Sequence, residues 1–571
     1  MAWYDEAVFY HIYPLGLCGA PKENSYGAPE HRLNTLLPWI SHIRAIGCNA
    51  LYIGPLFESV GHGYETTDYK KLDSRLGDNT DLTNFVKECH AQGIRVIFDG
   101  VFNHTGRDFF AFRDLKEHRE NSPYKDWYCN VNFGGNNEYN DGFSYENWGG
   151  YNLLVKLNQR NPAVCNYICG VIRFWVSEFD IDGIRLDAAD VLDFDFMKQL
   201  RQVANEVKPE FWLMGEVIHG DYSRWVNEGT LHSVTNYQLH KALYSGHNDH
   251  NYFEIAHTVT RLYEMGGNHT DGFKLYNFVD NHDVERIYTK LSNKAHFTPV
   301  HILLYTLPGI PSIYYGSEFG IEGKKEQYSD ASLRPALSYK DYKDAIHQNA
   351  CTRLIAALGR IHQTYPVLSH GDYRQLFLTN RQYAFSRNFG EQSAIITVNN
   401  DDNEFTMTLP AGNASCFTGT LSGKTVNASN GSITVTVPAN SGEIWIAGRV
   451  DVPGDISACH IPAADVTPAE TSPADSADAA TAEKSVPVSA DTSANTEVSS
   501  NPGTSSSPEP AAAPAESHSS SEEFERGKIA GLQEAVLALM SKNGPITDQM
   551  RKDVADNVYH DSLINWVKSF R

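Results

Sequence analysis

Eight short apolar segments alternate with amphipathic helical segments over residues 7–316, and this alternation constrains the fold more than any other feature of the chain. The strand-like segments read AVFYHIYP, NALYIGP, IRVIFDGV, DGIRLDA, FWLMGEV, SVTNYQ, LYNFVDN and PSIYYG. Helical segments such as LLPWISHIRAIG, DLTNFVKECHAQG and NPAVCNYICGVIRFWVSEFD lie between most of them. In the last of these, Asn161 occupies the N-cap position and Pro162 the first turn, which satisfies free amides and pre-sets the backbone. Strand and helix repeated eight times imply an α/β fold, a parallel sheet closed into a (β/α)8 TIM barrel.

One connection is too long for a simple strand-to-helix turn. Gly- and Asn-rich residues with few periodic apolar positions separate Val101 from Asn161, which predicts an excursion from the barrel. With the helix at residues 345–363 the pattern changes. QYAFSRNF, QSAIITVNN, EFTMTLP, SITVTVP and GEIWIAG alternate apolar and polar residues at period two, the signature of a small antiparallel β-sandwich. The domain reading is therefore a catalytic barrel over 1–365, with an inserted domain at 104–150, and a C-terminal sandwich over 366–449. Residues 450–521 are rich in Ala, Ser, Thr, Pro and Glu with almost no aromatic residues, which predicts a disordered linker. Residues 522–571 recover helical periodicity through Ile529, Leu532, Val536 and Leu539 and then Val554, Val558, Leu563 and Trp566. About fifty residues make a marginal core alone, so this small helical segment is expected to dock on a protein partner or self-associate.

Composition narrows the function. A formal charge of -23 without basic clusters argues against nucleic acid or an anionic membrane surface as partner, and leaves a neutral polar substrate open. No apolar run is long enough to span a bilayer, and the first residues, MAWYDEAVFYHIYP, lack the basic and apolar regions of a signal peptide. Nine cysteines, an odd number without CxxC pairs, fit reduced core thiols; Cys165 and Cys169, one helical turn apart, read as packing residues. The expected location is cytoplasmic.

In a parallel barrel the active site lies at the C-terminal ends of the strands. Asp187 ends the fourth strand, Glu216 ends the fifth, and Asp283 follows the seventh, so three carboxylates converge on one mouth. Arg185, two residues before Asp187, shares its face and points into the barrel. A cation beside a buried carboxylate is expected to lower its pKa and keep it ionised, as a nucleophile requires. Two carboxyl groups with different tasks are what glycoside hydrolysis needs: one protonates the leaving oxygen while the other attacks the anomeric carbon or activates water.

Those residues sit in stretches that resemble the α-amylase family, glycoside hydrolase family 13, and most of all its neopullulanase and cyclomaltodextrinase-like branch. GCNALYIGP, GYETTDY, DGVFNH, VKLN, GIRLDAADV, GEVIH and FVDNHD occur in the family's order, with GIPSIYYGSE closing the barrel. The resemblance implies a retaining mechanism with Asp187 as nucleophile, Glu216 as general acid and then base, and Asp283 stabilising the distorted sugar. It also implies that His104 and His282 hydrogen-bond that sugar and that Tyr64 stacks on it. The substrates implied are α-1,4-linked, and in part α-1,6-linked, maltooligosaccharides, cyclodextrins or related α-glucan oligosaccharides.

Departures refine this. Many starch-degrading members carry a lysine and a histidine where this chain has Asp190 and Val191, which argues against a large-starch endo-amylase. The branch's MPKLN is here LVKLN. Many branch members also have an N-terminal sandwich that builds a dimer, whereas the first barrel strand here begins near residue 7. No cofactor is required, and calcium is left open without being indicated. Asn103 holds the position that binds calcium in many α-amylases, but the inserted segment has no recognisable set of oxygen ligands, so Asn103 reads as a hydrogen-bonding pin and no metal-ligating residue is assigned. The alternatives are an α-glucan transglycosylase on the same fold and a non-catalytic carbohydrate-binding protein.

Overall fold

The computed structural model describes residues 2–266, 272–327 and 329–452. The segment 522–571 and nearly all of the linker expected at 450–521 lie outside the described residues.

Eight parallel strands form the barrel: β1 (Phe9–Ile12), β2 (Ala50–Ile53), β3 (Arg95–Gly100), β4 (Gly183–Leu186), β5 (Trp212–Gly215), β6 (Ser233–Val234), β7 (Tyr276–Asn277) and β8 (Ile310–Tyr314). Each pairs with its sequence neighbours, β1 pairs with β8, and a single parallel bridge between Thr235 and Tyr276 joins β6 to β7. The interior is aromatic: Phe9, Tyr52, Trp212, Tyr276 and Phe278 interlock with Met214 and Ile97. Phe9 and Trp212 stack at 5.1 Å between ring centroids. This filling makes the barrel a solid core whose polar groups gather at its mouth.

The outer helices bury the stripes that the sequence marked. They are α1 (Leu37–Ala45), α2 (Asn79–Ala91), α3 (Pro162–Phe179), α4 (Phe194–Val207), α5 (Tyr237–Asn248), α6 (Tyr252–Met265), α7 (Phe297–Thr306) and α8 (Ala350–Thr364). The Asn161 side chain accepts from the Ala163 amide at 2.9 Å, the N-cap expected for α3. Buried Cys165 and Cys169 lie on the inner face of that helix. The single helix expected at 345–363 is broken. Asn349, in extended conformation, ends a short turn at Ala345–Gln348 and caps α8 by accepting from Thr352 N at 2.9 Å. Among the described residues no helix is long and apolar enough to cross a membrane.

The excursion after β3 has structure of its own. His104–Thr105 pairs antiparallel with Tyr151–Lys156, which pairs with Asn147–Trp148. A helix at Phe110–His118 packs Phe112 against Tyr128, Phe143 and Tyr145, while Arg107 clamps Asp141 at 2.7 Å.

The C-terminal region is a β-sandwich. Strands β9 (Arg374–Leu378), β10 (Gln382–Phe389), β11 (Gln392–Asn399), β13 (Cys416–Gly419), β14 (Thr425–Asn427) and β16 (Ser441–Ala447) form one antiparallel sheet; β12 (Phe405–Pro410) and β15 (Ser432–Val437) form the facing pair. Met407, Leu409, Phe417, Ile433, Val435 and Trp445 fill the space between them. Helix α7, buried on every side, packs between barrel and sandwich, which explains its lack of a polar face.

Candidate active site

Strand register brings the first two carboxylates together. Leu186 of β4 pairs with Gly215 of β5, so Asp187 and Glu216 each follow the last paired residue of adjacent strands. The Glu216 amide donates to Leu186 O at 2.9 Å and the Asp187 amide to Gly100 O at 3.1 Å, which levels three strand ends.

Arg185 organises the base of the mouth. Its Nη1 lies 2.8 Å from Asp99 Oδ1 and 2.9 Å from Asp187 Oδ1, and its Nη2 lies 2.8 Å from Glu216 Oε2. Asp99, opposite Arg185 in the β3–β4 register, also accepts from Tyr52 at 2.8 Å and Tyr64 at 3.1 Å. One buried cation therefore faces three carboxylates from three strands. Although burial opposes it, the charges of Asp99 and Glu216 hold the Arg185 guanidinium firmly protonated.

The expectation that Arg185 depresses the Asp187 pKa is reversed. Burial pushes the Asp187 carboxyl well above its ordinary value, and Glu216 and Asp99 add to that shift; the guanidinium, divided among three acids, offsets only part of it. Asp187 and Glu216 thus share one guanidinium across adjacent strand ends, and glycoside hydrolysis needs a proton on one of two such carboxyls and not on the other. The backbone pays attention to the same pair: Ala188 adopts a left-handed conformation, φ 46°, and its amide donates to Glu216 Oε2 at 3.0 Å. A non-glycine residue there is strained by roughly 1–2 kcal/mol.

Asp283 has the opposite electrostatics. It lies 3.0 Å from His282 Nε2 and 2.8 Å from Arg334 Nη2. Burial raises its pKa, but His282, Arg334 and Arg185 together hold it well below the carboxylate range. Arg334 also donates to His282 O at 3.0 Å and pairs with Asp330 at 3.1 Å. His282 stacks on Tyr64 at 5.7 Å between centroids, and the two meet at 2.5 Å through Nε2 and the hydroxyl.

His104 is placed differently. It is 1% exposed; its Nε2 meets Tyr64 O at 3.0 Å and its Nδ1 meets the Asn103 amide at 3.2 Å. Burial lowers its pKa to about 4, so it is neutral near pH 7 and braces Tyr64 from behind. Asn103 is fully buried, bonded through its amide to His104 and, more weakly at 3.4 Å, to Gln159. Among the described residues the acidic and histidine side chains with metal-like spacing are His31, Asp78 and Asp81, of which the two aspartates form the capping box of α2 and His31 meets Asp81.

Sequence reasoning brought Asp187, Glu216, Asp283, Arg185, His282 and Tyr64 to this mouth, and the structure gathers them there. It missed Asp99, Arg334 and Tyr237, whose hydroxyl lies 3.4 Å from Glu216 Oε1. Asp99 carried a signal, an acidic residue near the end of an apolar strand. Arg334 carried none, because nothing local links it to Asp283.

Comparison with known proteins follows the same residues. The model of the α-amylase catalytic domain matches residues 32–373, and that of the α-amylase C-terminal domain matches 371–445. A cyclomaltodextrinase from Thermoanaerobacter pseudethanolicus is 30% identical over 426 residues, covering 70% of this chain and 71% of its own. Neopullulanase 2 from Thermoactinomyces vulgaris is 29% identical over 486 residues, covering 78% of each. Among solved structures, a debranching enzyme from Nostoc punctiforme superimposes with TM-score 0.64 at 26% identity, over 78% of this chain and 98% of its own.

Proposed function

The chain belongs to the α-amylase family of glycoside hydrolases, and from that premise we propose that it cleaves α-1,4, and in part α-1,6, glucosidic bonds of small or cyclic maltodextrins by double displacement with retention. The observation that carries this reading is the single Arg185 guanidinium bridging Asp187 and Glu216 at adjacent strand ends. In the first step Glu216 gives its proton to the glycosidic oxygen as the Asp187 carboxylate attacks the anomeric carbon, forming a glycosyl ester. In the second, Glu216 takes a proton from water, which attacks the same carbon and frees Asp187. Asp283, kept ionised by His282 and Arg334, accepts hydrogen bonds from sugar hydroxyls and offsets the positive charge of the oxocarbenium-like transition state. Tyr64 offers its ring to the apolar face of that sugar. No step calls for a metal.

The substrate preference draws on the names of the relatives and on Asp190 and Val191, which replace the lysine and histidine of many starch-degrading members. Time-resolved product analysis on maltotriose, β-cyclodextrin, pullulan and soluble starch tests it. Cyclodextrin and maltooligosaccharides should react faster than starch, and a clear preference for starch overturns the assignment. Val191 and Ile218 favour some transglycosylation. They are 39% and 38% exposed and follow β4 and β5 by a few residues, beyond Asp187 and Glu216, so they offer aliphatic surface for an acceptor sugar. Products longer than the substrate at high maltotriose concentration are the expected sign.

A cytoplasmic location fits the odd number of cysteines and the buried Cys165 and Cys169 thiols. We read residues 522–571, from their helical periodicity alone, as an assembly module that docks a protein partner or a second copy.

A further inference from the structure

We propose that Tyr237 is a positioning residue that stabilises the charge left on Oε1 of Glu216 when the acid proton departs from it. This rests on the reading of Glu216 as the general acid.

The two oxygens of Glu216 are not equivalent. Oε2 accepts from Arg185 Nη2 at 2.8 Å and from the Ala188 amide at 3.0 Å, which occupies both of its in-plane sites. A proton on this carboxyl therefore sits on Oε1. The Tyr237 hydroxyl is 3.4 Å from Oε1, and its direction is set from the other side. Asn281 Nδ2 donates to the Tyr237 oxygen at 3.2 Å. The Asn281 amide cannot be turned around, because its Oδ1 accepts from the amides of Asp283 and Val284 at 2.8 and 3.1 Å. With Asn281 as donor, the hydroxyl proton is free for Glu216. The ring is held by an edge-to-face contact with Phe278 at 4.9 Å, and Tyr237 opens α5 behind the Asn236 cap.

At 3.4 Å this hydrogen bond is long. During glycosylation the Oε1 proton passes to the leaving oxygen, which takes the electron pair of the breaking bond as Asp187 bonds to the anomeric carbon. Negative charge then develops on Oε1, and a hydroxyl already aimed at it gives more in the transition state than in the ground state. The same donor steadies the carboxylate that next takes the proton of water. Because Asn281 also holds the Asp283 loop, one amide sets both the acid and the residue that faces the oxocarbenium charge.

The ionisable groups facing Glu216 are Arg185 from β4, Asp187 at its end, Asp190 from the loop beyond it and Tyr237, on which the charge of Asp283 also acts. Tyr237→Phe changes only one of these and keeps the ring. On maltotriose its kcat/KM should fall about tenfold, through kcat, with KM little changed. On a nitrophenyl α-maltoside, whose leaving group needs little protonation, the loss should stay within about twofold. Loss of a donor to the carboxylate should also move the alkaline limb of the kcat/KM profile upward by about half a pH unit. Equal losses on both substrates with an unmoved alkaline limb overturn the proposal. Glu216→Gln, assayed alongside, separates the two failures. If it too loses both substrates equally, the acid assignment falls; if it spares the aryl substrate while Tyr237→Phe does not, only the role of Tyr237 falls.

Discussion

Nη2 of Arg185 lies 2.8 Å from Oε2 of Glu216, one strand away, and this contact makes the guanidinium a crosslink between neighbouring strand ends as well as a counter-charge. Both groups are nearly buried, with 3% and 13% of their side chains exposed.

Removing the cation should therefore cost stability and activity together. Arg185→Met leaves Asp99, Asp187 and Glu216 facing one another in a barrel core. The expected destabilisation is about 3–5 kcal/mol at pH 7 by urea unfolding, because the loss of one partner strands buried charge. The deficit should narrow at acid pH as the carboxyls take protons. A variant with parental stability at pH 7 contradicts the electrostatic picture of the mouth.

Asp187→Asn should separate the two properties. Turnover of maltotriose should fall by at least about a thousandfold, since the substitution removes the proposed nucleophile at little change of volume. Stability at pH 7 should be unchanged or higher. The folded carboxyl has a raised pKa, so ionising it costs free energy at every pH above its unfolded value, and asparagine removes that cost. The advantage should vanish below about pH 4, where the unfolded chain is itself protonated. Urea midpoints of both proteins at pH 7 and pH 3.5 measure it.

Asp182, just before β4, makes the contrasting case at the opposite end of the strands. Its side chain is 1% exposed, accepts from Val96 N at 2.9 Å and pairs with His90 at 2.8 Å and with Arg95 and Lys208 at 2.9 Å. Burial opposes ionisation, yet these partners lower its pKa to about 2. A depressed folded pKa contributes stability above the unfolded value, and that stability is lost as pH falls from about 4 to about 2. Asp182→Asn should cost about 2 kcal/mol at pH 7 and almost nothing near pH 2. Activity per folded molecule should not change, since the residue is remote from the mouth.

Truncation after Val452 should preserve kcat on maltotriose. The sandwich closes through β16, and the chain beyond it is tied down where Asp451 O accepts from Tyr365 at 3.3 Å. Light scattering of full-length and truncated protein should differ if residues 522–571 assemble the chain. Identical molar mass and identical partners remove the assembly role, and lost activity places those residues in the catalytic unit.

The barrel strands and the acids at their ends could be read from local pattern, because period two fixes which face each strand residue takes and parallel pairing carries the ends to one rim. Arg185 and Asp187 share a strand, so their contact at 2.9 Å was written in a spacing of two residues. The sandwich strands β10, β11, β12, β15 and β16 were legible for the same reason. A weaker local signal failed at Phe110–His118, a nine-residue helix within the stretch read as loop-like, while β6 and β7, both legible as strands, keep only two residues each. What no local pattern encodes is which distant groups share a charge. Arg334 reaches Asp283 across 51 positions, and Asp99 and Glu216 reach Arg185 from the strands on either side of it. Tertiary packing therefore decided the direction of the Asp187 pKa. The sequence offered one cation for one acid, whereas the fold gathered three acids around that cation and excluded the water that would have screened them.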